Sequence, residues 1–171
     1  EYDMAACLLS GPAGATYATG KWSMGVPGSD YVLFGAEYDP ICWDIPGNYQ
    51  QLQDVLPWSE KPENWRCAVM WQTPACGPTV ARELAKDFAA EIAQELRNWG
   101  IKGEKVGFYG GFDGFAIEAL KNEGINMVDG TWMMQDARKI KTKEEILCWK
   151  MAIAAADAAW YAIFNAIKPG A

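Results

Sequence analysis

The sequence predicts an α/β protein: a mixed sheet flanked by helices, followed by a long carboxyl-terminal linker helix. Three observations predict it. In the second half, strand-like apolar runs alternate with helical stretches. The first half is strand-rich and punctuated by Gly and Pro. From Thr142 onward, Ile146, Trp149, Ile153, Ala156, Trp160, Ile163 and Ile167 recur in steps of three and four, one apolar stripe along a helix.

Met4 to Leu9 reads as a buried strand ending at Ser10-Gly11-Pro12, and Thr16 to Thr19 as a further strand or edge. Lys21 to Asp30, with Gly25, Pro27 and Gly28, reads as a loop that carries Trp22 and Met24. Tyr31 to Gly35 and Ile41 to Ile45 read as strands. Tyr38-Asp39-Pro40 marks the turn between them, because the residue before proline is pushed out of helical space. Tyr49 to Leu56 has the pattern of a short helix, and Cys67 to Trp71 that of a strand.

Gly77-Pro78-Thr79 opens a helix whose apolar face is Val80, Leu84, Phe88, Ile92, Leu96 and Trp99, with Gly100 past its end. Lys105 to Tyr109 is a strand, Asp113 caps a helix through Asn122, and Ile125 to Val128 is the last strand. Gln135 and Asp136 begin a polar bridge to Arg138. Thr142 and Glu145 have the spacing of a capping box, in which each side chain bonds the other residue's backbone amide. Lys168-Pro169-Gly170 stops the helix. The expected division is one domain over 1–137 and a linker with a first helix over 138–171. A helix so well specified reads as the opening of a further domain, and the natural amino terminus is expected upstream of Glu1.

Half of the 171 residues are apolar, enough for a sizeable core. The net charge of −7 argues against nucleic acid, whose phosphates would be repelled. No apolar run is read as reaching the roughly twenty residues that span a bilayer, so no membrane partner is expected. Among nine tryptophans, Trp22, Trp58 and Trp65 lie in polar, turn-rich surroundings and are expected at the surface. The five cysteines form no C-x-x-C; Cys7, Cys42 and Cys67 sit in apolar runs, which fits reduced, structural thiols in a cytoplasmic protein. There is no histidine, which removes imidazole acid/base chemistry and imidazole metal ligands.

The candidate sites are weak. Gly14 to Lys21 imitates a phosphate loop, but five residues separate Gly14 from Gly20 where four are needed, and Trp22 follows the lysine. Gly110-Gly111-Phe112-Asp113-Gly114 lacks dinucleotide-loop spacing and reads as a tight turn. Glu37, Asp39, Asp44, Asp54, Glu60 and Glu63 are available for acid/base work, but no spacing makes two of them converge. Ser10 and Ser23 lack a nucleophile-elbow context. The loop bearing Trp22 and Met24 is the most informative surface. It either walls an apolar pocket or partner surface, or folds back on its own domain.

Arg138, Ile140-Lys141, Glu145-Ile146, the Ala-rich helix and the closing Lys168-Pro169-Gly170 resemble the pita-bread metallohydrolases. That family holds creatinase, prolidase, aminopeptidase P and some dimethylsulfoniopropionate lyases. Tyr17-Ala18-Thr19-Gly20 resembles the family's Tyr-x-Thr-Gly, although Gly14 stands where the family often has Asn. The resemblance implies a creatinase-type, ribonuclease-H-like amino-terminal domain that shapes a substrate pocket and joins a homodimer. It implies Tyr17, Trp22 and Met24 as pocket residues, and a small-molecule or short-peptide substrate. It places a divalent metal pair (Mn, Co, Zn or Fe) in a catalytic domain, with no metal or catalytic residue on this chain. The expected parent is an X-Pro peptidase or related C–N hydrolase, or a metal-dependent lyase of the same family. The alternative is a stand-alone, non-enzymatic binding domain that dimerises through the long helix.

Overall fold

The computed structural model describes residues 2–21, 30–45, 61–67, 77–168 and 170. They form two compact units, Glu1–Met134 and Gln135–Ala171. The boundary expected at 137/138 lies inside one helix, Thr131–Lys139.

In the first unit the elements are β1 (Ala6–Ser10), α1 (Gly11–Thr19), β2 (Tyr31–Gly35), β3 (Tyr38–Asp44), β4 (Trp65–Cys67), α2 (Gly77–Asn98), β5 (Lys105–Tyr109), α3 (Gly114–Asn122), β6 (Asn126–Asp129) and the start of α4 (Thr131–Lys139). The sheet order is β4-β3-β2-β1-β5-β6. β2 pairs antiparallel with both β1 and β3, and the other pairings are parallel. β2 alone therefore runs against the rest. The sheet is mixed and helices flank it, as the sequence predicts.

β1 is the middle of this sheet and is buried along its whole length. That explains its unbroken apolar run: a strand covered on both faces has no polar side to alternate with. Ala6 and Leu8 join a core with Tyr31, Leu33, Ile41 and Trp43 under α2 and α3. Cys7 and Leu9 face the other way, with Val32, Cys42 and Trp65 beneath Ala15 of α1 and Met134 of α4. Trp65 and Cys67 exchange their expected places. Trp65 is 5% exposed, because its register opposite Cys42 turns it into the second core. Cys67, at the end of this short strand, is exposed.

Four local expectations are corrected. Residues 16–19 end helix α1 instead of forming a strand; Pro12 opens the helix and Gly20, at φ +74°, closes it. Tyr38-Asp39-Pro40 is the beginning of β3. Pro40 fits there because the β2–β3 register shifts between Leu33 and Gly35, so a missing amide breaks no regular ladder bond. The buried face of α2 is Ala81, Ala85, Phe88, Ala89, Ile92, Ala93 and Leu96. Val80 is 49% exposed, since small alanines let the helix approach a sheet already filled by Tyr31 and Trp43. Gln135 and Asp136 lie within α4. The expected helix at 49–56 and most of the strand at 67–71 lie outside the described residues.

The second unit consists of the end of α4 and helix α5 (Lys143–Ala166). Thr142 accepts the Glu145 amide at 3.1 Å and Glu145 accepts the Thr142 amide at 2.7 Å, so the capping box is complete. No α5 residue is buried. By length and composition the helix is also apolar enough to cross a membrane, although Lys150 and Asp157 interrupt it.

Candidate functional site

Five strands end at one edge of the sheet. Ser10 lies opposite Tyr31, Tyr31 opposite Trp43, and Asp44 opposite Cys67, so the carboxyl ends of β1, β3 and β4 meet the beginning of β2. β5 and β6 end at the same edge, where ligands of open α/β sheets commonly bind.

At this edge the Tyr-x-Thr-Gly stretch has a mechanical role. The Thr19 hydroxyl donates to the Ala15 carbonyl at 2.7 Å and accepts the Lys21 amide at 3.1 Å. Gly20, in the left-handed region, donates its amide to the Thr16 carbonyl. The turn delivers Lys21 into the interior, where it is 3% exposed. Its ammonium lies 2.6 Å from Asp30 and 2.5 Å from Asp44, both carboxylates being buried. The Asp30 carbonyl accepts the Gly11 amide at 3.1 Å, and Asp44 accepts the Ile45 amide at 2.7 Å.

Two carboxylates thus share one lysine. Burial pushes the Asp44 carboxyl up from its ordinary value; the bond and charge of Lys21 pull it down and Asp30 pushes it up. Burial also pushes the Cys42 thiol up to about 12, with Lys21 opposing the rise and Asp44 adding to it. All three charged groups are enclosed, so the cluster fixes backbone and does not reach solvent to exchange protons with a substrate.

Tyr17 stands on α1 and is 42% exposed, while Trp22 and Met24 lie outside the described residues. Asp39 pairs with Lys61 at 2.6 Å on the surface. Asp44 converges with Asp30, which the sequence did not single out. The only signal was an aspartate abutting an apolar strand. Gly14 lies inside helix α1 and Gly20 caps its end, so the stretch is a helix and not a phosphate loop. Asp113 caps α3 by accepting the Ala116 amide at 2.8 Å, and the Ser10 hydroxyl donates to the Gly111 carbonyl at 2.7 Å. Among the described residues no group of three or more His, Cys, Asp or Glu could hold a metal ion. A cleft of about 230 Å³ lies at the opposite edge, between the end of α2 and the beginnings of β5 and β6.

The same fold occurs in solved structures. Prolidase from Pyrococcus furiosus superposes with a TM-score of 0.62 at 18% identity, covering 96% of this chain and 43% of that one. A dipeptidase from Pyrococcus horikoshii OT3 gives 0.61 at 17% identity, covering 94% and 39%. The N-terminal domain of Xaa-Pro dipeptidase from Lactobacillus brevis gives 0.50 at 14%, covering 78% and 89%. This is the fold of a prolidase amino-terminal domain. The chain spans less than half the length of the two Pyrococcus chains it resembles. No protein-family model matches the sequence, and no curated protein does.

Proposed function

We propose that this chain is the amino-terminal domain of a creatinase/prolidase-like metallohydrolase acting on X-Pro peptides or a related C–N bond. In this reading it shapes the substrate pocket and helps form a homodimer, in the cytoplasm, and is not catalytic alone. One observation carries the reading: nearly the whole chain matches under half of an archaeal prolidase, in the fold of a domain that also stands as a separate structure. Tyr17, Trp22 and Met24 are the proposed pocket residues; an aromatic and a thioether exclude water and orient a small substrate without transferring protons.

The divalent metal pair of such enzymes would activate water for hydrolysis. The chain has no histidine, and its described residues offer no ligand set, so no step of this proposal runs through a metal held here.

The exposed apolar stripe of α5 favours a second reading, a stand-alone dimerisation domain. A metal-dependent lyase is the remaining alternative for the parent. The test is hydrolysis of an X-Pro dipeptide with added Mn²⁺ or Co²⁺. The full-length protein is expected to turn over and the 171-residue chain is not. Turnover by the chain alone that scales with purified protein, or a full-length protein inert toward such peptides, overturns the reading.

A further inference from the structure

We propose that Met4, Cys7 and Met133 form a soft-metal site that takes one Cu(I) ion through two thioethers and a thiolate. Met4 lies just ahead of β1, Cys7 within it, and Met133 in the first turn of α4. All three pack into the second core, on the face of the sheet that carries α1 and α4. The Cys7 thiol donates to the Met133 sulfur at 3.3 Å. Gly107 of β5 lies beside Cys7 and brings in the third sulfur. A Cβ at Gly107 would sit 2.5 Å from the Met4 sulfur and 3.3 Å from that of Cys7. Both sulfurs therefore lean over one spot on the strand. A glycine inside a strand weakens it and often marks a close approach; what approaches here is sulfur.

The ligand chemistry decides the ion. Thiolate with thioether selects Cu(I), whereas carboxylates and carbonyls suit Mg, Ca and Mn, and structural zinc is closed by thiolates, imidazoles and carboxylates. Two sulfurs 3.3 Å apart can both reach an ion at about 2.3 Å, the length of a metal–thiolate bond. Met4 and Met133 are half-buried and Cys7 is buried, so an ion arrives past the thioethers and stops at the thiol. Methionine turns about three bonds, which lets the Met4 sulfur swing in to complete the set. Burial pushes the Cys7 thiol up to about 11, with a Gly107 backbone bond opposing the rise, so without an ion the sulfur keeps its proton. Copper takes the place of that proton, which leaves to solvent. The set is too soft for the divalent pair of a hydrolase, and the inference does not rest on that reading.

The test uses the 171-residue chain carrying Cys67→Ser, Cys76→Ser and Cys148→Ser, so that Cys7 and Cys42 are the remaining thiols. Cu(I), kept reduced by ascorbate without air, is titrated against bicinchoninate, a coloured competitor. One ion should bind per chain. Met4→Leu and Met133→Leu keep the side-chain volume, so the thermal midpoint should hardly move, while each should weaken binding by about tenfold or more. Cys7→Ser should abolish binding, and Cys42→Ala should leave it unchanged. No binding by the starting chain, an unchanged affinity in either leucine variant, or a loss that follows Cys42 instead of Cys7 overturns the site. If Cys7→Ser does not fold, the two leucine variants decide. X-ray absorption at the copper edge then identifies the ligands. In the selenomethionine-labelled chain, copper should have two selenium neighbours and one sulfur, and a shell without selenium overturns the site as well.

Discussion

Gly14 is where helix α1 touches the sheet. A Cβ placed there would lie 3.1 Å from the Leu9 Cβ and 3.2 Å from a ring carbon of Tyr109. Leu9 is fully buried on the central strand and has nowhere to retreat. Overpacking costs about 1–3 kcal/mol, against about 0.5–1 kcal/mol gained by removing glycine from a helix. Gly14→Asn, the residue the resemblance leads one to expect, should therefore lower the thermal midpoint; an equal or higher midpoint would show that the interface yields. The departure at Gly14 follows from close packing. Lys21 was less legible, because a lysine after a helix stop ordinarily lies in water. Only the approach of Asp30 and Asp44, from two other parts of the chain, makes its burial tolerable. Asp44 carries a pH signature. Among the groups facing it are Lys21, Asp30, Cys42 and the Ile45 amide. Its carboxyl is raised in the folded chain, mainly by burial, so the folded state binds that proton more tightly than the unfolded state does. Its contribution to stability is present at acid pH and is lost as pH rises through the folded-state value. Urea unfolding of wild type and Asp44→Asn from about pH 4 to about pH 8 should show wild type losing ground to the variant as pH rises. A difference independent of pH would mean that Asp44 is not raised.

At the scale of elements, legibility followed how local each signal is. The α5 capping box needs only Thr142 and Glu145, and both of its bonds are present. Strand β5 and the Asp113 cap of α3 rest on equally local cues. Helix α1 was misread as a strand because Ala-Thr-Tyr-Ala-Thr carries β-branched and aromatic residues that also suit a strand. Pro12 at its first turn and Gly20 at its end decide the matter. Helix α4 was missed because only Met134 of it is buried, leaving almost no apolar period to read. The face of α2 was shifted because periodicity favours large residues, whereas its closest contacts are made by alanine. The edge cluster was the least legible feature. It depends on the sheet order, which brings the end of α1, the beginning of β2 and the end of β3 together. No spacing in the chain encodes that meeting.

For the whole molecule, the unsettled surface is the stripe on α5. Ile146 is 43% exposed, Trp149 59%, Ile153 57%, Trp160 68% and Ile163 48%. Fully burying such a side chain gains roughly 1.5–3 kcal/mol, so five together exceed the cost of bringing two molecules together, about 4–15 kcal/mol, only if most are covered at once. A second helix of the same kind can do that, because steps of three and four present a seam on which two copies pack. The 171-residue chain should therefore self-associate in a concentration-dependent way. Ile153→Lys with Trp160→Lys places two charges in the middle of the seam and should yield a monomer with the first unit still folded. Sedimentation velocity compares the two proteins, with tryptophan fluorescence reporting whether Trp149 and Trp160 leave water on association. A wild-type chain that sediments as a clean monomer, or a double-lysine variant that associates as readily, would show that α5 does not pair with its own copy.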